Sequence, residues 1–180
     1  MSNVVSLHDK TFELYIHQKD IVQTVADLSV RIAIDYATER PLFLSVLNGS
    51  FLFTADLLRH YTGECEVSFI KLASYSGTTS TGTVNELIGL NENIKGRHII
   101  LLEDIVDTGN TIVALFETLQ VLQPASIKVA TLLFKPEAYN KTIPIDYVGI
   151  TIPNKFVVGY GLDYDSLGRN LPNIYQLVTN

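Results

Sequence analysis

The chain has 180 residues, 47% of them hydrophobic, enough to bury one sizeable core and most simply organised as a single domain over residues 1–180. Its formal charge is −6 and no run of Lys or Arg offers a surface to a polyanion, so nucleic acid is not an expected partner. The one cysteine, Cys65, cannot form an internal disulfide, no apolar segment heads the N-terminus as in a signal peptide, and no apolar stretch is long enough to span a bilayer; the expectation is a soluble cytoplasmic protein with no membrane partner.

Residues 1–17 are mixed in character and are expected to pack on the edge of the fold. From Lys19 to Arg40 the apolar residues Ile21, Val25, Leu28, Ile32 and Tyr36 fall at helical spacing, and Pro41 stops that helix. Leu42–Leu47 reads as a short buried strand, Asn48-Gly49-Ser50 as a turn, Phe51–Tyr61 as a second helix and Val67–Leu72 as another strand. Ser74–Val84, SYSGTTSTGTV, has no core-facing period and reads as a mobile loop. A loop of that length inside a compact domain is more often functional or disordered than idle.

The stretch His98–Leu122 organises the chain. Ile99–Leu102 is a continuous apolar run, which fits a strand buried on both faces of a parallel sheet. Glu103, Asp104, Ile105, Val106 and Asp107 follow, then the polar turn Thr108-Gly109-Asn110-Thr111. Ile112, Leu115, Phe116, Leu119 and Leu122 then recur on one helix face. Ligands of open parallel sheets bind beyond the carboxyl ends of the strands, and the unpaired amides of a helix start suit a phosphate. Gly109 lets the backbone approach a ligand closely. Acids beside a phosphate must do something else: accept from sugar hydroxyls, hold Mg²⁺ or take a proton.

Further strands are expected at Ile127–Phe134, ending at Lys135-Pro136, and at Asp146–Ile152, closed by Pro153. The segment KFVVGYGLDY, Lys155–Tyr164, follows, and the chain ends in a short apolar patch. Alternating strands and helices from residue 42 to about 134 imply an α/β fold with a parallel sheet flanked by helices. The four histidines, His8, His17, His60 and His98, form no metal-binding pattern.

The run LLEDIVDTGNT resembles the phosphoribosyl pyrophosphate signature of type I phosphoribosyltransferases, and KFVVGYGLDY resembles the hypoxanthine-guanine branch of that family. The resemblance covers about Leu44 to Leu171 and implies a parallel sheet of about five strands with a small hood from the chain ends. It further implies that backbone amides from Asp107 to Thr111, with Thr108, Gly109 and Asn110 between them, hold a 5′-phosphate. Glu103 and Asp104 would bind the ribose hydroxyls, partly through Mg²⁺, and Asp107 would be the catalytic base. Asn48, Gly49, Ser74, Tyr75 and Arg169 would contact pyrophosphate, the Asn48 loop often carrying a non-proline cis peptide in the family. Ser74-Tyr75 would open a flexible lid. Lys135 would donate to a purine 6-oxo group, Phe156 would stack on the ring, Val157 would offer its backbone, and Asp163 would hold a further Mg²⁺. Two departures stand out: Asn48 and Asn110 are neutral where relatives often carry basic residues.

The expected activity is purine salvage: transfer of a phosphoribosyl group from phosphoribosyl pyrophosphate to hypoxanthine or guanine, by a homodimer or homotetramer. The alternatives are a ligand-binding regulator on the same fold, which would want to lose Asp107 or the lid, and an enzyme for another base, against which Lys135 and KFVVGYGLDY argue.

Overall fold

The computed structural model describes residues 3–75 and 84–178. A six-stranded sheet forms its centre, in the order β5 (Val84–Ile88), β4 (Glu66–Tyr75), β3 (Leu42–Val46), β6 (His98–Val106), β7 (Ser126–Phe134) and β8 (Tyr147–Thr151). Five of these strands, β4 to β8 in that spatial order, run parallel. The sixth, β5, is antiparallel on the edge, with Tyr75 opposite Val84 and Ser74 opposite Asn85. The expected Ser/Thr/Gly loop therefore begins and ends in paired strands, while its tip, including Thr78–Thr83, lies outside the described residues.

The side chains of the central strands divide between two faces, as the strand period of two requires. Phe43, Ile100, Leu102, Ala130 and Leu132 meet α1 (Gln18–Asp35) and α2 (Phe51–His60) through Ile21, Val25, Leu28, Ile32, Phe53 and Leu57. Leu42, Leu44, Ile99, Leu101 and Val129 face the other way, onto Ile112, Leu115 and Leu119 of α3 (Asn110–Gln120). The result is three layers, and both faces of β6 are dry.

A second sheet, in the order β1 (Val4–Leu7), β2 (Lys10–Ile16), β10 (Ile174–Leu177) and β9 (Val157–Val158), joins the two chain ends into the expected hood. The first residues, expected at the edge of the fold, form a hairpin of this second sheet. Phe12, Leu14 and Ile16 alternate with polar Thr11 and Glu13, which is a strand pattern. Val157, Tyr160, Leu162 and Ile174 share the core of α1 and α2, and the Tyr160 hydroxyl donates to Asp56 Oδ2 at 2.6 Å, so the hood is fastened to the sheet domain.

Helix α1 ends at Asp35, five residues short of the Pro41-bounded limit, because Tyr36 and Ala37 already satisfy the carbonyls of Ile32 and Ile34. Among the described residues no helix is long and apolar enough to cross a membrane.

Three buried hydroxyls set the loop after β3. The Thr54 hydroxyl donates to Ser45 Oγ at 2.7 Å, Ser45 and Ser50 share a 2.7 Å bond, and Ser50 donates to the Val46 carbonyl at 2.6 Å. They hold the start of α2 against the end of β3 and so shape Leu47–Ser50. Ser45→Ala leaves the Thr54 donor without its acceptor, an expected loss of about 1–3 kcal/mol. Adding Thr54→Val should recover part of it, because the stranded donor is then gone. Urea unfolding of both single variants and the double variant checks this; strictly additive losses would contradict the network.

Candidate active site

Strands β3, β6 and β7 all end on one side of the sheet, and every chemistry-bearing turn starts there. The last residues of β6 project alternately to its two faces. Glu103 belongs to one half of the site and Asp104 to the other.

The Glu103 half is the turn between β6 and α3. A cavity of about 90 Å³ is lined by Glu103 and by residues 105–112. Gly109 stands at the helix start with φ 81°, a left-handed conformation that favours glycine. A Cβ there would lie 2.4 Å from the Tyr139 ring and 2.9 Å from Lys141 Cγ. The first helical bond runs from Val113 N to Gly109 O at 3.0 Å, and no side chain caps the helix. The amides of Asn110, Thr111 and Ile112 therefore have no partner within the helix and face the positive end of its dipole. Glu103 is buried, and desolvation followed by the neighbouring Asp104 charge raises its pKa well above the usual carboxylate range.

Asp107 and Lys135 stand at the ends of adjacent strands. The Lys135 ammonium is 2.7 Å from Asp107 Oδ2; the lysine is almost fully buried, with 7% of its side chain exposed, whereas 42% of the Asp107 side chain is open. The buried ammonium thus has a carboxylate partner within the protein.

The Asp104 half joins three distant segments. The Leu47–Asn48 peptide is cis, as the resemblance implies. The next residue, Gly49, touches Asp104 so closely that a Cβ would lie 1.7 Å from Asp104 Oδ2. On the hood side, a Cβ on Gly161 would fall 2.0 Å from the Gly49 carbonyl. Arg169 donates to the Gly161 carbonyl at 2.7 Å and pairs with Asp163 Oδ1 at 2.7 Å, while Ser166 N donates to Asp163 Oδ2 at 2.7 Å. The structure therefore gathers Asn48, Gly49, Asp104, Asp163 and Arg169, with the Arg169 guanidinium already engaged by the hood turn.

The hood supplies the last expected residues. Leu177 N donates to the Phe156 carbonyl at 2.9 Å, and Val157 stands opposite Gln176 in the antiparallel register. Bonded pairs alternate along such a ladder, so the Val157 N–H and C=O point away from β10, off the free edge of β9. Phe156, 44% exposed, lies edge-on to Tyr164 at 5.9 Å and near Phe12 at 6.1 Å, with the Lys10 ammonium 5.6 Å from its ring centre. Ser74 and Tyr75 end β4, where only their backbone pairing is described.

The model of the phosphoribosyl transferase domain matches residues 13–165. The chain belongs to the phosphoribosyltransferase family. It is 44% identical over 158 residues to a hypoxanthine-guanine phosphoribosyltransferase of Streptococcus agalactiae, covering 87% of this chain and 88% of that one. It is 39% identical over 177 residues to a hypoxanthine-guanine-xanthine phosphoribosyltransferase of Tritrichomonas foetus, covering 97% and 95%. A crystal structure of a hypoxanthine-guanine phosphoribosyltransferase from Bacillus anthracis superposes with a TM-score of 0.82 at 35% identity, covering 93% of this chain and 97% of that one.

Two contributors to this phosphoribosyltransferase site escaped the sequence reading. Gly161 had a signal, the repeated glycine of VVGYGL, where Gly159 and Gly161 both take positive φ. Tyr139 had none, since nothing local shows that its ring will lie against Gly109.

Burial is the first cause of a raised Asp104 pKa, from 3.8 to about 6, with Arg169 opposing and Asp163 adding to the rise. A carboxyl held above its unfolded pKa stabilises the fold relative to the ionised state below pH ~4 and loses that contribution as pH rises through about 6. Ionised Asp104 therefore costs up to ~3 kcal/mol at neutral pH. Asp104→Asn should raise the melting temperature of the substrate-free protein in chelator at pH 8, and the gain should vanish near pH 4. An equal gain at both pH values would contradict the assignment.

Proposed function

We propose that this phosphoribosyltransferase acts in purine salvage, joining hypoxanthine or guanine to phosphoribosyl pyrophosphate and releasing IMP or GMP with pyrophosphate. The observation that carries the reading is the Asp107–Lys135 pair beside the phosphate turn, which sets a proton acceptor and a hydrogen-bond donor for the base at the same strand ends. The names of the relatives support the same purine substrates.

The 5′-phosphate rests on the α3 amides with the Thr108 and Thr111 hydroxyls nearby. Glu103 and Asp104 accept from the ribose hydroxyls. Pyrophosphate lies toward Asn48, Gly49 and the hood turn carrying Arg169, with Ser74 and Tyr75 leading into the lid. A purine nitrogen attacks C1 of the ribose as the bond to pyrophosphate breaks, and Asp107 takes the proton released from the imidazole ring. Lys135 meets the 6-oxo group, Val157 offers the free backbone edge of β9, and Phe156 presents an aromatic face.

The donor set suits Mg²⁺. Asp104 is a partly buried carboxylate with a raised pKa, and among the described residues no group of three or more acids, histidines or cysteines forms a closed cage. Mg²⁺ characteristically takes one or two carboxylates and completes its shell with phosphates and water. Glu103 and Asp104 would hold one Mg²⁺ and Asp163 a further one, and when bound the metal would neutralise charge on the leaving pyrophosphate.

Residues 1–180 act as one phosphoribosyltransferase domain in this reading, supported by the core that the hood shares with the sheet. A second copy of the chain is proposed to cover the apolar side chains Phe51, Val67 and Phe69, which are 38–44% exposed on the start of α2 and the outer part of β4. Light scattering on the purified protein tests this: a monomer at micromolar concentration would refute it.

Asp107→Asn should cut the single-turnover rate by about 10² to 10⁴ while leaving nucleotide binding nearly intact. An undiminished rate with chemistry limiting would refute its role as base. Adenine presents a donor where a 6-oxopurine presents an acceptor, so its kcat/KM should be at least ~10²-fold below that of hypoxanthine. Lys135→Ala should narrow the gap mainly by lowering hypoxanthine activity. A ratio unmoved by that substitution would remove Lys135 from base recognition.

A further inference from the structure

The cavity at the phosphate turn lacks a cation. Its lining, Glu103 and residues 105–112, contains two carboxylates and no basic side chain. Lys135 stands next to it but is engaged by Asp107, and Arg169 is engaged by Asp163 and Gly161 in the other half of the site. The helix dipole offers only about half a positive charge. A phosphate monoester carries about −1.5 to −2 at neutral pH. Held here beside Glu103 and Asp107, it calls for a cation from outside the turn.

The connection between β7 and β8 brings one. Tyr139 N donates to the Lys135 carbonyl at 3.1 Å, the Tyr139 ring lies edge-on to Phe134 at 5.5 Å, and its hydroxyl donates to the Ile143 carbonyl. That anchoring presses the connection onto the phosphate turn, where the Tyr139 ring and Lys141 Cγ occupy the space beside Gly109. Lys141 Cγ thus lies beside Gly109, and the side chain lines the neighbouring cavity along α3 with Val113 and Glu117, from which its flexible end can swing to the turn. Among the described residues its ammonium makes no ion pair or hydrogen bond. The exposed turn residues Thr108, Asn110 and Thr111 are all neutral.

We propose that Lys141 is the cationic phosphate partner of this turn, pairing its ammonium with the 5′-phosphate of the ribosyl substrate while the α3 amides hold the same group. The inference rests on the phosphoribosyl reading of the cavity and adds to it a residue from outside the signature stretch. Lys141 is a binding residue here: it acts on the phosphate and not at the reacting carbon.

Lys141→Met keeps the aliphatic stem against Gly109 and removes the charge. Calorimetric titration with ribose 5-phosphate, with ribose as the neutral control, reads the effect directly. The variant should bind ribose 5-phosphate about tenfold more weakly, as loss of a charge-assisted hydrogen bond implies. Its affinity should also depend less on salt. KM for phosphoribosyl pyrophosphate should rise by a similar factor, with KM for hypoxanthine little changed. Lys141→Arg should retain binding, and Asn110→Lys added to Lys141→Met should restore much of it by placing the charge within the turn. An unchanged melting temperature in Lys141→Met separates lost charge from lost packing, and a drop in melting temperature with normal affinity per folded molecule counts against the proposal. Wild-type-like affinity and salt dependence in Lys141→Met would overturn the Lys141 assignment and leave the phosphoribosyl reading standing. Failure of the wild type to bind ribose 5-phosphate at all would overturn both.

Discussion

A carboxylate packs against bare backbone at the centre of the site: Asp104 lies where any side chain at position 49 would have to be, and Gly161 approaches the Gly49 carbonyl from the hood. Three segments far apart in the chain are locked by that contact. The turn after β3 cannot move toward β6, because Asp104 is already there. The hood turn cannot drop further onto the sheet, because Gly49 stops it. Arg169 fixes the Gly161 carbonyl and Asp163 together, and Tyr160 ties the same turn to α2 through Asp56. Burial of Asp104 in this crowded place raises its pKa, so the ionised protein carries stored electrostatic cost where the proposed ribose and pyrophosphate meet.

The pleat of β6 explains how one strand would serve two ligand groups in the proposed reaction. Glu103 and Asp104 are neighbours in sequence but project to opposite faces. Glu103 lines the small cavity of the α3 turn, and Asp104 faces the Gly49 loop and the hood. A ligand with a phosphate at one end, hydroxyls in the middle and a charged group at the other end spans that division. The apolar run Ile99–Leu102, buried in both cores, holds the strand so that its polar end is the part left to chemistry.

Much of this was legible in the sequence, because local patterns carry it. The buried run before Glu103, the helical spacing from Ile112 and the glycine at the turn each have a local physical cause, and the parallel sheet follows from their alternation. The strand Lys10–Ile16 also alternates, but it is short and sits near a terminus, where order depends on contacts made elsewhere in the chain. What could not be read was contact across the chain. Nothing near Lys135 shows that Asp107 is its partner, since the pair depends on β6 and β7 being adjacent and in register through Val106 and Phe134. Nothing near Lys141 shows that its stem lies along Gly109. The end of α1 falls short of Arg40 for a local reason: Pro41 sets an outer limit to a helix, whereas the carbonyls of its last turn are satisfied earlier, by Tyr36 and Ala37.

The Lys135–Asp107 pair alters how base selection is to be understood in the proposed reaction. An ammonium this buried is costly without a partner, and in the free protein the carboxylate of the proton acceptor is that partner. A 6-oxopurine offers an acceptor oxygen that can share or replace the carboxylate at the ammonium. It then leaves Asp107, which is the more exposed of the two, able to turn toward the imidazole proton. Adenine offers only a donor at that position and cannot compete with a carboxylate for the ammonium. In the proposed reaction the wrong base would therefore be refused because the pair stays closed, and the lysine would not be stranded. Recognition of the oxygen and release of the base become one event at one contact, so a base that fails the first also fails to prepare the second.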